Sequence, residues 1–349
     1  MTRSITINNF LLLADTVPLV DVRTPAEFDH GHIPGAFNLP LFSNEERIKV
    51  GTTYKQVSRE EAILLGFDLV GPKWSGFIKR ALEIAPGKKI AVHCWRGGMR
   101  SGAMAWALDL YGFEVYLIQG GYKKYRNWVH QQFENKYQLR ILGGMTGSGK
   151  TRILHQLKAM GEQMIDLEDL AQHQGSSYGT MNKMVQPTQE QFENNLAHEL
   201  SKLNIQLKIW VEDESITIGK RSVPNPFWYQ MRDAPLINIK VDVNHRITSL
   251  AAEYGRLDKD FLVECTERIH KRLGPEQTKH AITAIRENRM EDFIRLVLVY
   301  YDKTYRAGLT KRNQARVFSL DIDDGSIGSQ ATQLLNFTNT IPVTEQALT

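Results

Sequence analysis

The run Lys89-Ile90-Ala91-Val92-His93-Cys94-Trp95-Arg96-Gly97-Gly98-Met99-Arg100-Ser101 decides how the first third of the chain folds. Residues 89–92 are a short apolar run of the kind that builds a buried strand, and residues 102–110 carry the small and apolar side chains of a helix. That order puts Cys94 at a strand end, in a loop leading into a helix. Such a loop aims several backbone N–H groups inward, and the helix dipole adds positive potential, so it holds an anion against the thiolate. Arg96 and Arg100 strengthen that field. Gly97 and Gly98 let the backbone curl closely, and the surroundings predict a Cys94 thiol of lowered pKa, nucleophilic at neutral pH. A lone cysteine is more often an inert buried thiol, but two arginines and two glycines in one loop argue against that reading here.

Working outward, Leu19-Val20-Asp21-Val22-Arg23 reads as an apolar strand, Thr24-Pro25 starts a helical turn, and a Gly- and Pro-rich loop follows to Ala36. His30 and His32 lie in this loop without clustered partners and are expected to form loop hydrogen bonds rather than bind a metal. Val115-Tyr116-Leu117-Ile118 is a further strand, and Gly120-Gly121 turns it into a helix over residues 122–133. Strands alternating with helices over residues 1–136 describe one small α/β domain.

A second domain, residues 137–349, begins after the short polar link Glu134-Asn135-Lys136. Residues 138–142 read as a strand, followed by Gly143-Gly144-Met145-Thr146-Gly147-Ser148-Gly149-Lys150-Thr151 and a helix to residue 160. This is a P-loop in its required strand and helix context. The amides of Gly144, Thr146, Gly147, Ser148 and Gly149 are placed to surround a diphosphate, Lys150 adds a point charge, and the Thr151 hydroxyl suits Mg²⁺. Two later strand ends are candidates to serve the same pocket: Met164-Ile165 leads to Asp166, and residues 208–211 lead to Glu212-Asp213-Glu214. Asp213 is the candidate for the magnesium shell beside Thr151; helix capping is the competing use of any of these carboxylates. Gly175-Ser176-Ser177-Tyr178-Gly179 reads as a polar loop able to close on a ligand. Strands at 236–241 and 315–320 complete a parallel sheet, and residues 245–308 read as mainly helical. The fold class is therefore α/β in two domains.

A length of 349 residues suits two cores, and the net charge of +4 permits a polyanionic partner without requiring one. Two cysteines, Cys94 and Cys265, make neither a disulfide framework nor a zinc site. The patch Phe10-Leu11-Leu12-Leu13 is too short for a signal segment and no apolar run is long enough to span a membrane, so a cytoplasmic protein is expected. Basic groups interleaved with aromatics occur at Tyr122-Lys123-Lys124-Tyr125-Arg126 with Trp128, at Arg268-Ile269-His270-Lys271-Arg272, and at Tyr305-Arg306 with Lys311-Arg312. Lys123, Lys124, Arg126, Arg268 and Arg272 are the candidate RNA contacts, with aromatics to stack on unpaired bases; a solvated helix face is the ordinary alternative.

The first domain resembles the rhodanese family of sulfurtransferases. The resemblance rests on Asp21-Val22-Arg23 with Pro25, Glu27 and Phe28, on His32-Ile33-Pro34-Gly35-Ala36, on the Cys94 loop, and on Leu117-Ile118-Gln119-Gly120-Gly121. It implies that Cys94 carries a chalcogen atom as a persulfide. The spacing from Cys94 to Arg100 is a residue longer than the common rhodanese loop and equals that of cysteine-dependent phosphatases, whose loop cradles a tetrahedral phosphate.

With a P-loop domain following directly, and with Val211-Glu212-Asp213-Glu214-Ser215, the chain resembles the bacterial tRNA 2-selenouridine synthases over nearly its whole length. That resemblance implies a transferase acting on the wobble 2-thiouridine of tRNA. Geranyl diphosphate first places a geranyl group on the sulfur, and selenium from selenophosphate then replaces the geranylated sulfur through a Cys94-bound selenium. It further implies that Arg96, Arg100 and the loop amides hold the phosphoryl oxygens, and that the P-loop holds the diphosphate of the geranyl donor with Mg²⁺. Pro226-Phe227-Trp228-Tyr229 is the candidate wall for the geranyl chain. Implied partners are tRNA, the two small substrates and a selenophosphate-supplying enzyme. Two alternatives stay open: a bifunctional cysteine-dependent phosphatase and P-loop kinase, and a non-catalytic RNA-binding module, against which the intact Cys94, Lys150 and Thr151 speak.

Overall fold

Short apolar runs alternating with helices can bury both faces of a strand only in a parallel sheet covered on each side, and the chain builds two of these. A computed structural model describes residues 2–173, 185–323 and 325–341; the loop Gly175-Ser176-Ser177-Tyr178-Gly179 lies outside the described residues. The chain divides into two compact units, residues 1–133 with 188–198, and residues 134–187 with 199–349.

The first unit holds strands β1 (Thr2–Ile5), β2 (Leu19–Asp21), β3 (Phe37–Asn38), β4 (Lys89–His93) and β5 (Glu114–Ile118). They form one parallel sheet in the order β1-β5-β4-β2-β3. β4 sits at its centre, and Ile90, Ala91, Val92 and His93 are all buried. Val20, Val92, Met104, Leu108, Phe113 and Val115 fill the core around it. Cys94 therefore leaves the carboxyl end of a central strand, where open α/β sheets place their ligands. The helix Pro25–His30 starts as the sequence predicts: Thr24 caps it and Glu27 closes a capping box, an arrangement worth about 1 kcal/mol. Between β3 and β4 stand three helices the sequence reading did not assign, Asn44–Gln56, Arg59–Val70 and Trp74–Ile84, the first two capped by Ser43 and Ser58.

The first unit also takes in the segment 188–198, which lies within the second domain as read from the sequence. Its helix, Gln189–Ser201, inserts fully buried Asn194 into the first unit. The Asn194 amide donates to the Tyr122 hydroxyl (2.7 Å) and to the His32 carbonyl (2.9 Å), while Gln191 accepts from the His32 N–H (2.8 Å).

The second unit holds β6 (Gln138–Gly144), β7 (Gln163–Ile165), β8 (Lys208–Glu212), β9 (Thr217–Ile218), β10 (Arg221–Ser222), β11 (Leu236–Lys240) and β12 (Val317–Asp321). Five of these form a parallel sheet in the order β12-β11-β6-β8-β7, and β9 and β10 make a small antiparallel pair. β6 is central, so the P-loop, like Cys94, issues from the middle of a sheet. The predicted helical stretch is the set Val243–Tyr254, Lys259–Arg268, Pro275–Arg286 and Met290–Leu309, with the short helix His270–Leu273. It has its own core, which includes Leu262, Cys265, Ile285 and Phe293. Among the described residues no helix is long and apolar enough to cross a membrane.

Candidate active sites

Cys94 is buried, with 4% of its surface exposed. Burial alone raises a thiol pKa, but here a hydrogen bond from the Ser101 hydroxyl (3.2 Å) and the backbone amides of Ser101, Arg96 and Gly98 outweigh it. The thiol is held below its ordinary value, whereas buried Cys265, without such donors, is pushed up. The loop is closed from behind: the N–H of Tyr122 donates to the Cys94 carbonyl and that of Lys123 to the Trp95 carbonyl, each at 2.9 Å. Gly97 has φ +69°, and a Cβ there would stand 2.9 Å from the Ile118 carbonyl oxygen. Gly121 has φ +55°, and a Cβ would come within 2.2 Å of the Cys94 carbonyl oxygen. The close approach thus falls at Gly97 and Gly121. Gly98, expected to share it, faces open space.

Arg100 lies in the first turn of the helix Met99–Leu110 and donates twice to the Glu27 carboxylate, at 2.6 and 3.2 Å. Despite partial burial, this partner keeps the Glu27 carboxyl below its usual range. Arg96 is exposed at the loop rim. Beneath the loop, Arg23 pairs with Asp21 at 2.6 Å and lies over the Tyr122 ring at 3.7 Å, both carriers of the ion pair being buried. His93 stands 3.7 Å from Asp21, and complete burial holds its pKa below the ordinary value. The rhodanese-like Asp21-Val22-Arg23 signature is therefore the rigid floor of the loop. Sequence reasoning gave no role to Ser101 or to the Glu27 partner of Arg100. His32 is a loop hydrogen-bonder, its ring Nδ1 lying 2.9 Å from the Phe28 carbonyl oxygen.

In the second unit Gly147 and Gly149 adopt φ of +81° and +76°, turning the chain between β6 and the helix Lys150–Ala159. A Cβ at Gly144 would meet the Ser148 hydroxyl at 2.6 Å, and that hydroxyl is buried without a hydrogen-bond partner among the described residues. A tight amide cradle with an orphaned hydroxyl fits a bound phosphate group. Lys150 Nζ donates to the Gly144 carbonyl (3.1 Å) and lies 3.4 Å from the Glu212 carboxylate. The Thr151 hydroxyl donates to Glu212 at 3.1 Å.

The carboxylate that accepts from Thr151 is thus Glu212; Asp213, the expected candidate, lines the same cavity and is held by buried Arg312, from which it accepts at 2.6 Å. Asp166 likewise caps the helix Leu167–Ala171 and lies 3.0 Å from the His155 ring nitrogen. Glu168 and Glu214, to which the sequence reading gave no role at the metal, join Glu212 with carboxylate oxygens within 4.8 Å of one another. Burial, reinforced by the Glu212 charge, pushes Glu168 up to about 9 and Glu214 up to about 8. Three carboxylates beside a threonine hydroxyl are a hard oxygen donor set that fits Mg²⁺. The cavity over them is about 690 Å³ and is also lined by Thr146, Arg152, Arg256 and Tyr305.

The candidate RNA residues separate. Lys123 and Lys124 are exposed. Arg126 is bound to Glu193 and to Asn194, and the neighbouring aromatics Tyr122, Tyr125 and Trp128 stack in the interior, so none of these is presented to a base. Arg268 pairs with Glu264 at 2.5 Å and Arg272 donates to the Tyr300 hydroxyl at 3.1 Å, both on the surface. Pro226, Phe227, Trp228 and Tyr229 line neither cavity, and Phe227 packs edge-on against Tyr137 with centroids 5.9 Å apart.

Comparison with known proteins matches residues 137–327 to the family described as tRNA 2-selenouridine synthase AAA domain and residues 10–127 to the Rhodanese-like domain. A tRNA 2-selenouridine synthase of Bdellovibrio bacteriovorus is 40% identical over 257 residues, covering 70% of this chain and 66% of that one. One from Nitrosomonas europaea is 38% identical over 259 residues, covering 70% and 65%. The chain thus spans just under two thirds of these two relatives. One from Shewanella denitrificans is 36% identical over 348 residues, covering 87% of this chain and 91% of that one.

Proposed function

The chain belongs to the tRNA 2-selenouridine synthase family, and on that premise we propose that it replaces the sulfur of a wobble 2-thiouridine in tRNA by selenium, in two steps at its two sites. The P-loop site transfers a geranyl group from geranyl diphosphate to the sulfur. The Cys94 site then exchanges the geranylated sulfur for selenium drawn from selenophosphate. Chemistry sets the order: a thiocarbonyl sulfur is a poor leaving group, whereas an S-alkyl sulfur departs as a thiol.

The observation that carries this reading is a thiol of lowered pKa set among inward-facing amides, a cradle for a tetrahedral anion beside a nucleophile. Selenophosphate is such an anion. The loop amides and Arg100, held by Glu27, orient its phosphoryl oxygens while the thiolate attacks phosphorus. A sulfur–phosphorus bond forms as the selenium–phosphorus bond breaks, the released selenide displaces geranyl thiol from the base, and water then frees the phosphoryl group from Cys94 as phosphate. At the second site the amides of Gly144, Gly147 and Gly149 with Lys150 take the diphosphate, and recognition of that group needs no nucleoside. Thr151, Glu212, Glu168 and Glu214 would hold Mg²⁺, which supplies a Lewis acid for the departing pyrophosphate. A cytoplasmic setting and a selenophosphate-supplying enzyme complete the scheme.

The test is mass spectrometry of nucleosides from thiolated tRNA incubated with the protein. Geranyl diphosphate alone is expected to give S-geranyl-2-thiouridine, and selenophosphate added afterwards to give 2-selenouridine. Absence of both products would overturn the proposal. A phosphatase and kinase pair is the alternative, favoured by the Ser101 hydrogen bond to the Cys94 sulfur; phosphate-ester hydrolysis lost on Cys94→Ser would establish it.

A further inference from the structure

The mouth of the Cys94 loop opens into a cavity of about 910 Å³ whose walls are mainly apolar. The helices Asn44–Gln56 and Arg59–Val70 supply about half of the lining, including Val50, Ile63 and Phe67, and Trp74 closes one side. Phe67 and Met99, at 65% and 58% exposed, leave a large apolar surface uncovered at the entrance, where a soluble domain ordinarily hides such side chains. Arg47, Lys55 and Arg96 also line the cavity and bring positive charge to it. A site for selenophosphate alone needs none of this apolar wall. The cavity is also larger than a nucleobase needs, lying near the top of the roughly 300–1,000 Å³ usual for small-molecule sites.

We infer that this cavity holds the prenyl chain carried on the sulfur that the Cys94 site expels. The inference rests on the exchange reaction proposed above and adds where its leaving group is recognised. The sulfur to be displaced must sit next to the incoming selenium, so a chain one bond away must lie beside Cys94. A chain of about ten carbons, each near the roughly 30 Å³ that one water occupies in the liquid, fills about a third of the space and leaves room for its branches and the base. The nearby cations suit the phosphates of the RNA that bears the chain. A hydrophobic wall makes the wobble base recognisable in the S-alkylated state and lets an unalkylated 2-thiouridine pass by.

The test compares short RNAs carrying S-geranyl or S-methyl 2-thiouridine, measuring their affinity for the full protein and their rate of selenium exchange. Each buried methylene is worth roughly fourfold in affinity, so burial of even four carbons gives wild-type protein an S-geranyl preference of at least about 100-fold. Ile63→Asn and Val50→Asn are each expected to cut that preference at least about tenfold, while Ile63→Leu keeps it; a ratio of two substrates on one variant is insensitive to partial unfolding. The same preference in wild type and in both Asn variants overturns the cavity assignment, as does no preference in wild type. A geranyl-dependent affinity that the Asn variants weaken, without exchange on any substrate, keeps the cavity and overturns the reaction proposed above.

Discussion

Ser101→Ala removes the hydroxyl that donates to the Cys94 sulfur at 3.2 Å and leaves the loop amides in place. Hydrogen bonds to a charged group in a buried site contribute about 1.5–3 kcal/mol. At about 1.4 kcal/mol per decade, that is roughly 10- to 150-fold in the equilibrium between thiol and thiolate. The bond favours the charged form, so its loss moves the titration midpoint upward. Below the wild-type midpoint the variant is therefore slower to alkylate by that factor, and well above its own midpoint the two rates converge. Iodoacetamide labelling over a pH series, with Cys94 and fully buried Cys265 resolved as separate peptides by mass spectrometry, reads this directly. Ser101→Thr keeps the hydroxyl and serves as the control. An unchanged midpoint in a folded Ser101→Ala protein would refute the assignment of the lowered thiol pKa to this hydroxyl.

The remaining expectations concern the second unit and the RNA surface. Lys150→Ala is expected to lose geranylation of thiolated tRNA yet still exchange selenium on tRNA supplied already geranylated, and wild-type geranyl transfer should run without ATP or GTP; an absolute nucleotide requirement, read by nucleoside mass spectrometry, contradicts this. Glu168→Gln is expected to raise Tm, and more at pH 9 than at pH 5: its folded-state value of about 9 lies above the unfolded one, so stability is lost as pH rises through that window and glutamine does not suffer the loss. A Tm difference that shrinks with pH in thermal melts without divalent cations would contradict the clustered-carboxylate account. Lys123→Ala with Lys124→Ala should weaken tRNA binding and lower the slope of log K against log salt by about 1–2; an unchanged slope moves the RNA surface elsewhere.

Features that depend on local pattern were legible in the sequence. β4, β6 and the two loops they feed follow from apolar runs meeting glycine, and Thr24-Pro25 marks the start of its helix correctly. Other features depend on partners distant in the chain. β1 has no apolar pattern, since only Ile5 is even partly covered; it exists because its backbone pairs with β5 from Thr2 opposite Val115 to Ile5 opposite Ile118. Which of Glu212, Asp213 and Glu214 faces Thr151 depends on where β8 stops pairing with β6, which the acidic run does not reveal. The helix Gln189–Ser201 looks polar, and the burial of Asn194 follows from the Tyr122 and His32 groups that await it in the other part of the chain. Tyr122, Tyr125 and Trp128 recur every three residues, the spacing of a buried helical face, and their burial follows that period rather than a role in stacking on bases.

The division of labour between the two sites is tested most directly by nucleoside mass spectrometry on tRNA treated with Cys94→Ser protein, geranyl diphosphate and selenophosphate. The account predicts S-geranyl-2-thiouridine in undiminished or increased amount and no 2-selenouridine. Equal loss of both nucleosides in a folded variant, or 2-selenouridine formed without the thiol, would contradict it.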